Sequence, residues 1–216
     1  MKTALIFLHG DLTCISHIPA HAKATELIIA ADGGAEYAIA CGLSPHVLIG
    51  DMDSISPSTM EQLNNKTIVK VYPREKDYTD AELAIQYAVK EKATSIYIAG
   101  FLGRRIDHMM ATLFYLSTLP AKFTLLEGAQ RATLIKEKTI ITGKKDDEIS
   151  LIPLQGDCIG ITTEGLVYPL HNETLPYGAT RGVSNIMNGE KATIEIHSGT
   201  LLCIQTSDPS SAFRIP

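Results

Sequence analysis

Three acidic clusters in the first half of the chain each follow a short apolar run. They are Asp32 in Ala31-Asp32-Gly33-Gly34, Asp51 and Asp53 in Gly50-Asp51-Met52-Asp53-Ser54, and Asp77 and Asp80 in Glu75-Lys76-Asp77-Tyr78-Thr79-Asp80. Carboxylates gathered where strands end repel one another. A pair about 4 Å apart costs roughly 4 kcal/mol at an effective dielectric near 20 unless a cation sits with it. Hard oxygen donors without His or Cys in ligand spacing select Mg²⁺, and Mg²⁺ on few carboxylates takes phosphate as its remaining ligand. The pattern reads first as a Mg–nucleotide enzyme.

Each cluster also has a plainer explanation. Asp32-Gly33-Gly34 closes the apolar run Leu27–Ala31 and opens a helix, where glycines admit a ligand to the backbone and helix amides attract phosphate. A capping aspartate with turn glycines explains the same residues. The segment lacks the Gly-x-Gly-x-x-Gly spacing, so a dinucleotide site is not supported. Asp51 and Asp53, two apart in an extended segment, project to one face and converge on one cation. A single Asx-turn accounts for one of them, hardly both. Thr79 with Glu82 has the form of a capping box, which leaves Lys76, Asp77 and Asp80 unaccounted for. The helix dipole would keep Asp80 ionised, and Lys76 is a mobile cation for phosphate. Farther on, Gly103-Arg104-Arg105-Ile106-Asp107-His108 joins a strand to a helix. Guanidinium forks at such a corner suit phosphate, and Asp107 could accept a substrate hydroxyl or amine. The alternative is Asp107 as a helix cap with solvated arginines, and His108 reads as a helix-start hydrogen bonder rather than a catalyst.

The elements that must position these residues follow from periodicity. Apolar runs of buried-strand type lie at Ala4–Leu8, Leu27–Ala31, Val47–Ile49, Ile68–Val71, Ile96–Ala99 and Phe123–Leu126, with helical patterns at Ala35–Cys41, Ala81–Lys92 and His108–Leu119. Alternating strands and helices predict an α/β layer with a mainly parallel sheet buried on both faces, a three-layer unit over residues 1–135. Near residues 130–147 the rhythm changes. Short strands between turn residues follow, at Ile149–Pro153, Ile159–Thr163, Leu166–Tyr168, Ala192–Ile196 and Leu201–Gln205, predicting a smaller all-β sandwich over residues 136–216.

Composition narrows the partners. The chain has 216 residues, 45% of them hydrophobic, and 19 basic against 24 acidic side chains give a net charge of −5. That balance argues against nucleic-acid and anionic-membrane surfaces. Cys14, Cys41, Cys158 and Cys203 are scattered, which disfavours a disulfide framework or zinc site and fits a reducing cytoplasm. Met1–Gly10 is too short in its apolar stretch for a signal segment and reads as a first strand; no run approaches transmembrane length. The expected location is cytoplasmic.

On these residues the chain resembles the thiamine pyrophosphokinase family along nearly its whole length. Ala31–Gly34, Gly50–Ser54, Lys76–Asp80 and Arg104–His108 match its Ala-Asp-Gly-Gly, Gly-Asp-x-Asp-Ser, Lys-Asp-x-Thr-Asp and Gly-Arg-x-Asp-His elements in order. The segments Gly165–Leu170, Val183–Asn185 and Gly199–Leu202 resemble its thiamine-binding sandwich. The resemblance implies transfer of the pyrophosphoryl group of ATP to the hydroxyl of thiamine, giving thiamine diphosphate and AMP. It implies Mg²⁺ on Asp51, Asp53 and Asp80, with Asp107 and Arg105 also catalytic. ATP would meet Asp32, Gly33, Gly34, Lys76, Asp77, Thr79, Gly103 and Arg105. Thiamine would meet Asp107, Tyr168, Ser184 and Asn185, between one subunit's α/β unit and its partner's sandwich in a homodimer. Some relatives have Trp where Tyr168 stands, and either ring can stack on the pyrimidine. Arg104, Thr112 and Ile186 depart from the family pattern, where a small residue, Asn and an acidic residue are common. Two other readings remain open here: a catalytically silent thiamine or nucleotide sensor, and a metal-dependent nucleotide-sugar transferase.

Overall fold

The computed structural model describes residues 2–12, 18–63, 65–103 and 105–207. They form two compact units divided between Gly128 and Ala129. The sequence-based division grouped residues 129–135 with the first unit.

The first unit runs β1 (Lys2–Phe7), α1 (Ile18–Ala22), β2 (Leu27–Ala31), α2 (Gly34–Ala40), β3 (Val47–Gly50) and α3 (Pro57–Gln62). It continues with β4 (Ile68–Val71), α4 (Asp80–Lys90), β5 (Ala93–Ala99), α5 (Ile106–Thr118) and β6 (Lys122–Glu127). The strands pair in parallel in the order β6-β5-β1-β2-β3-β4. All their carboxyl ends therefore share one edge of the sheet. Strand order reverses beside β1, because β2 to β4 lie on one side of it and β5 and β6 on the other. Open α/β sheets bind ligands in the crevice at such a reversal.

Leu5, Phe7 and Ile28 pack with Ile18 of α1 and Ala38 of α2. Ile6 and Ile29, which alternate with them, are equally buried, so the central sheet is covered on both faces. Fully burying each such side chain stabilises the fold by about 1.5–3 kcal/mol. The expectation of two-sided burial fails at β4, where Ile68 and Val71 are exposed. Among the described residues β4 is the edge strand, with a strand neighbour on one side only.

The second unit comprises β7 (Gln130–Ile135), β8 (Thr139–Thr142), β9 (Glu148–Pro153), β10 (Cys158–Glu164), β11 (Glu173–Leu175), β12 (Asn185–Ile186), β13 (Lys191–Glu195) and β14 (Leu201–Thr206). Two antiparallel sheets, β12-β9-β14-β7 and β11-β10-β13-β8, enclose one apolar core. Ile149, Leu151, Leu201 and Cys203 from one sheet meet Ile161, Ala192 and Ile194 from the other. The expected strand at Leu166–Tyr168 is absent. Leu166 makes one isolated bridge to Met187, and the chain then bends. Among the described residues no helix is long and apolar enough to cross a membrane.

Candidate active site

The carboxyl edge of the parallel sheet carries a cavity of about 780 Å³, lined by segments that follow β1, β2, β3, β4 and β5. The loops after β1 and β5 are laced together: Leu8 N donates to Ala99 O at 2.8 Å, Gly10 N to Gly100 O at 2.9 Å and Asp11 N to Leu102 O at 2.7 Å. Gly103 lies so close to Gly10 that a Cβ on it would come within 2.9 Å of the Gly10 Cα. The glycines after Asp32 serve the same kind of packing. A Cβ on Gly34 would stand 2.2 Å from Phe7 O, and one on Gly33 would stand 2.3 Å from the His9 ring. Both are buried against the protein's own chain.

Asp32, Asp51 and Asp53 present ligand oxygens that all lie within 4.8 Å of one another. Asp32 reaches the group from the end of β2 through a left-handed backbone, φ 47°. It is only 8% exposed, and its Oδ1 is buried without a hydrogen-bond partner. Burial raises its pKa above the usual carboxylate value; a Ser54 hydrogen bond opposes this, and the charges of Asp51, Asp80 and Asp53 add to it. Asp51 is shifted the other way, chiefly because Asp53 N donates to its Oδ1 at 3.2 Å, with help from Lys76 and Arg74. The segment is not extended as expected. Met52 turns it with φ 66°, and an Asx-type bond between the two aspartates draws the carboxylates together.

Lys76 lies beside this group, its Nζ 3.9 Å from Asp51 Oδ2 and 3.2 Å from Asp80 Oδ1. Thr79 caps α4, its Oγ1 accepting from Glu82 N at 3.1 Å. Glu82 turns its own carboxylate to Gln86 Nε2, so only the Thr79 half of the expected capping box forms, and Asp80 lines the cavity. Asp77 is exposed nearby. Asp107 lies in the first turn of α5 and does not cap it. Its carboxylate is gripped at both oxygens by Arg105, with Nε to Oδ1 at 2.9 Å and Nη2 to Oδ2 at 2.6 Å. Those bonds hold the Asp107 pKa well below the usual carboxylate range. Arg105 and His108 line the cavity, as does Thr112. Arg104 lies outside the described residues.

The sandwich has its own small cavity of about 140 Å³, which Tyr168, Arg181, Val183 and Asn185 help to line. Tyr168 is 65% exposed. Asn185 Oδ1 accepts from Tyr168 N at 3.1 Å and from Ile186 N at 2.8 Å, and its Nδ2 donates to Tyr168 O at 2.7 Å. Ser184 is exposed in a left-handed turn, φ 61°, and its N donates to Ser150 Oγ at 3.1 Å.

Several cavity residues escaped the reading of the sequence: His9, Gly10 and Asp11 after β1, and Ser54, Arg74 and Tyr78 beside the acidic clusters. The strand-end rule that found the other clusters applies equally to Leu8-His9-Gly10-Asp11. The sequence reading places Asp32 on the nucleotide side, and the structure brings its carboxylate together with those of Asp51 and Asp53.

Comparison with known proteins bears on both units. Residues 19–125 match the family model "Thiamin pyrophosphokinase, catalytic domain", and residues 137–201 match "Thiamin pyrophosphokinase, vitamin B1 binding domain". Thiamine pyrophosphokinase of Bacillus subtilis (strain 168) is 27% identical over 214 residues, covering 96% of this chain and all of that one. A crystal structure of thiamine pyrophosphokinase from Bacillus subtilis superposes with a TM-score of 0.84 at the same coverage. Thiamine pyrophosphokinase 1 of Arabidopsis thaliana is 29% identical over 212 residues, 85% of this chain and 78% of its own. Thiamin pyrophosphokinase from Candida albicans, at 17% identity, shares the fold over 95% of this chain and 90% of its own, with a TM-score of 0.76.

Proposed function

The chain belongs to the thiamin pyrophosphokinase family and is an enzyme that makes thiamine diphosphate; we propose that it does so by moving the pyrophosphoryl group of ATP to the thiamine hydroxyl, with the residues described above in the following roles. The observation that carries the reading is that both halves of the chain match, in order, the two domain models of one family.

The acidic group fits a hard divalent cation. Asp32 keeps an unpaired buried oxygen, and its pKa is pushed up by burial and by three neighbouring carboxylates. Asp51 and Asp53 would hold Mg²⁺ with Asp32 beside them, and Asp80 is tied to the same group through Lys76. When bound, the ion supplies charge neutralisation for the triphosphate. The rest of the chemistry falls to side chains. In the transfer, the thiamine hydroxyl oxygen bonds to Pβ and releases its proton to solvent, the bond from Pβ to the α–β bridging oxygen breaks, and AMP leaves with that oxygen. Catalysis of this kind is mostly positioning and charge complementarity. Lys76, Arg105 and the Thr79–Asp80 helix start would grip phosphate oxygens, with Gly33, Gly34, Asp77 and Gly103 shaping the ATP side. Asp107, kept ionised by Arg105, is a weak base and a good acceptor, so it orients the hydroxyl rather than stripping its proton early. Tyr168, Ser184 and Asn185 form the thiamine side.

The same reading takes a cytoplasmic homodimer in which thiamine lies between one subunit's α/β unit and its partner's sandwich; sedimentation at equilibrium tests the dimer. Phosphorus NMR of the protein with Mg²⁺, ATP and thiamine tests the reaction. Thiamine diphosphate and AMP in equal amounts are expected. Thiamine monophosphate with ADP would mean an ordinary kinase, and thiamine binding without turnover would mean a sensor.

A further inference from the structure

The amide of Asn185 is nearly used up inside the protein. Its Oδ1 has two lone pairs, and both are taken, by Tyr168 N and Ile186 N. One of its two N–H groups is taken by Tyr168 O. The orientation is fixed by this pattern: turned over, the amide would set an NH₂ against two N–H donors and an oxygen against a carbonyl. Asn185 thus has no acceptor left for a ligand.

What the amide holds is specific. Backbone pairing between the bend and the segment 186–188 runs through Asn188 N to Gly165 O at 3.0 Å and Val167 N to Ile186 O at 2.8 Å. That backbone pairing stops at Val167. The Asn185 side chain then bonds both the N–H and the C=O of Tyr168, as a partner strand would, and extends the pairing by one residue. Pro169 follows, which confines Tyr168 to extended backbone, and Leu170 N is pinned to Thr163 Oγ1 at 2.8 Å. A backbone fastened this firmly carries the side chain of a residue that is 65% exposed and lines a cavity. Holding that backbone limits where the ring can sit, and stacking gains most when the platform needs little ordering on binding.

We propose that Asn185 is a positioning residue that acts through Tyr168, holding its backbone so that the ring is presented at the sandwich cavity to a flat heteroaromatic substrate, and offers that substrate no acceptor of its own. The inference rests on the reading of this cavity as the thiamine side and assigns Tyr168 and Asn185 different tasks.

The test is steady-state kinetics of Tyr168→Ala, Asn185→Ala and the double variant. Tyr168→Ala should raise the thiamine KM roughly three- to tenfold, the range set by ring stacking, with kcat at saturating thiamine and the ATP KM unchanged. Asn185→Ala should raise the same KM, and the double variant should be no worse than Tyr168→Ala alone. A double variant whose KM rises by the product of the two single effects would overturn the proposal while leaving the thiamine reading intact. No KM effect from Tyr168→Ala would overturn both. A second measurement guards against misfolding. The chain has no tryptophan, so Tyr168→Trp makes position 168 the only indole. Adding Asn185→Asp keeps both acceptor bonds but turns a carboxylate oxygen toward the carbonyl of residue 168. Indole anisotropy should fall while far-UV circular dichroism stays the same; unchanged anisotropy contradicts the clamp.

Discussion

Asp32 in the α/β unit is buried with one carboxylate oxygen unpaired, whereas Asn185 in the sandwich is part-buried with nearly every polar atom engaged. The first site keeps electrostatic tension: three carboxylates meet within 4.8 Å, and Lys76 balances only part of their charge. The second site is relaxed in its hydrogen bonds and leaves its unmet surface in an exposed aromatic ring. The difference matches two kinds of ligand. On the proposed reading, unsatisfied charge recruits a cation with phosphates, and the exposed Tyr168 ring recruits a planar heterocycle.

Breaking the charged site should have the largest effect. Asp51→Asn removes a carboxylate from the acidic group and should lower kcat by about a hundred- to thousandfold, the scale of losing one preorganised electrostatic contact, in a Mg²⁺-dependent product assay. Lys76→Ala comes next: it frees Asp51 and Asp80 from their shared ammonium, and the ATP KM should rise by about tenfold or more, as for loss of a charged hydrogen bond of about 1.5–3 kcal/mol. The thiamine KM should stay put, and an equal rise in both would erase the contrast between the two regions.

The smallest expected effect sharpens the comparison from the side of stability. The raised pKa of Asp32 means that the unfolded chain ionises first as pH rises from the ordinary carboxylate value. Stability contributed by this group is thus present below that value and is lost up to the raised folded one, without Mg²⁺. Asp51, with a lowered pKa, does the reverse and loses its contribution as pH falls. Asp32→Asn should therefore raise the melting temperature of the Mg²⁺-free protein at neutral pH, by about 2–4 °C for each kcal/mol relieved, and should reduce the further rise that Mg²⁺ produces. A lower melting temperature without Mg²⁺ would mean that Asp32 is held by bonds rather than by strain.

Much of this was legible in the residues. Continuous apolar runs marked β1, β2, β3 and β5, and the acidic clusters after β2, β3 and β4 share one edge because the strands are parallel. What stayed hidden depends on contacts between segments distant in sequence. Asp32 joins Asp51 and Asp53 only because β2 pairs with β3 and its own backbone turns left-handed. The Leu166–Tyr168 run is apolar enough for a strand, yet the Asn185 side chain replaces the partner that Tyr168 would need. Periodicity also missed α1 and α3, of 5 and 6 residues, because they are too short to show a helical repeat.

On the proposed reading, the cation belongs to the acidic edge of the α/β unit and owes nothing to the sandwich. Electron paramagnetic resonance of Mn²⁺ titrated into the wild-type protein, Asp51→Asn and Tyr168→Ala tests it directly, because bound Mn²⁺ loses the six-line signal of the free ion. The account predicts binding to the wild type and to Tyr168→Ala alike, and weakened binding to Asp51→Asn. Equal binding to all three, or a loss confined to Tyr168→Ala, would contradict it.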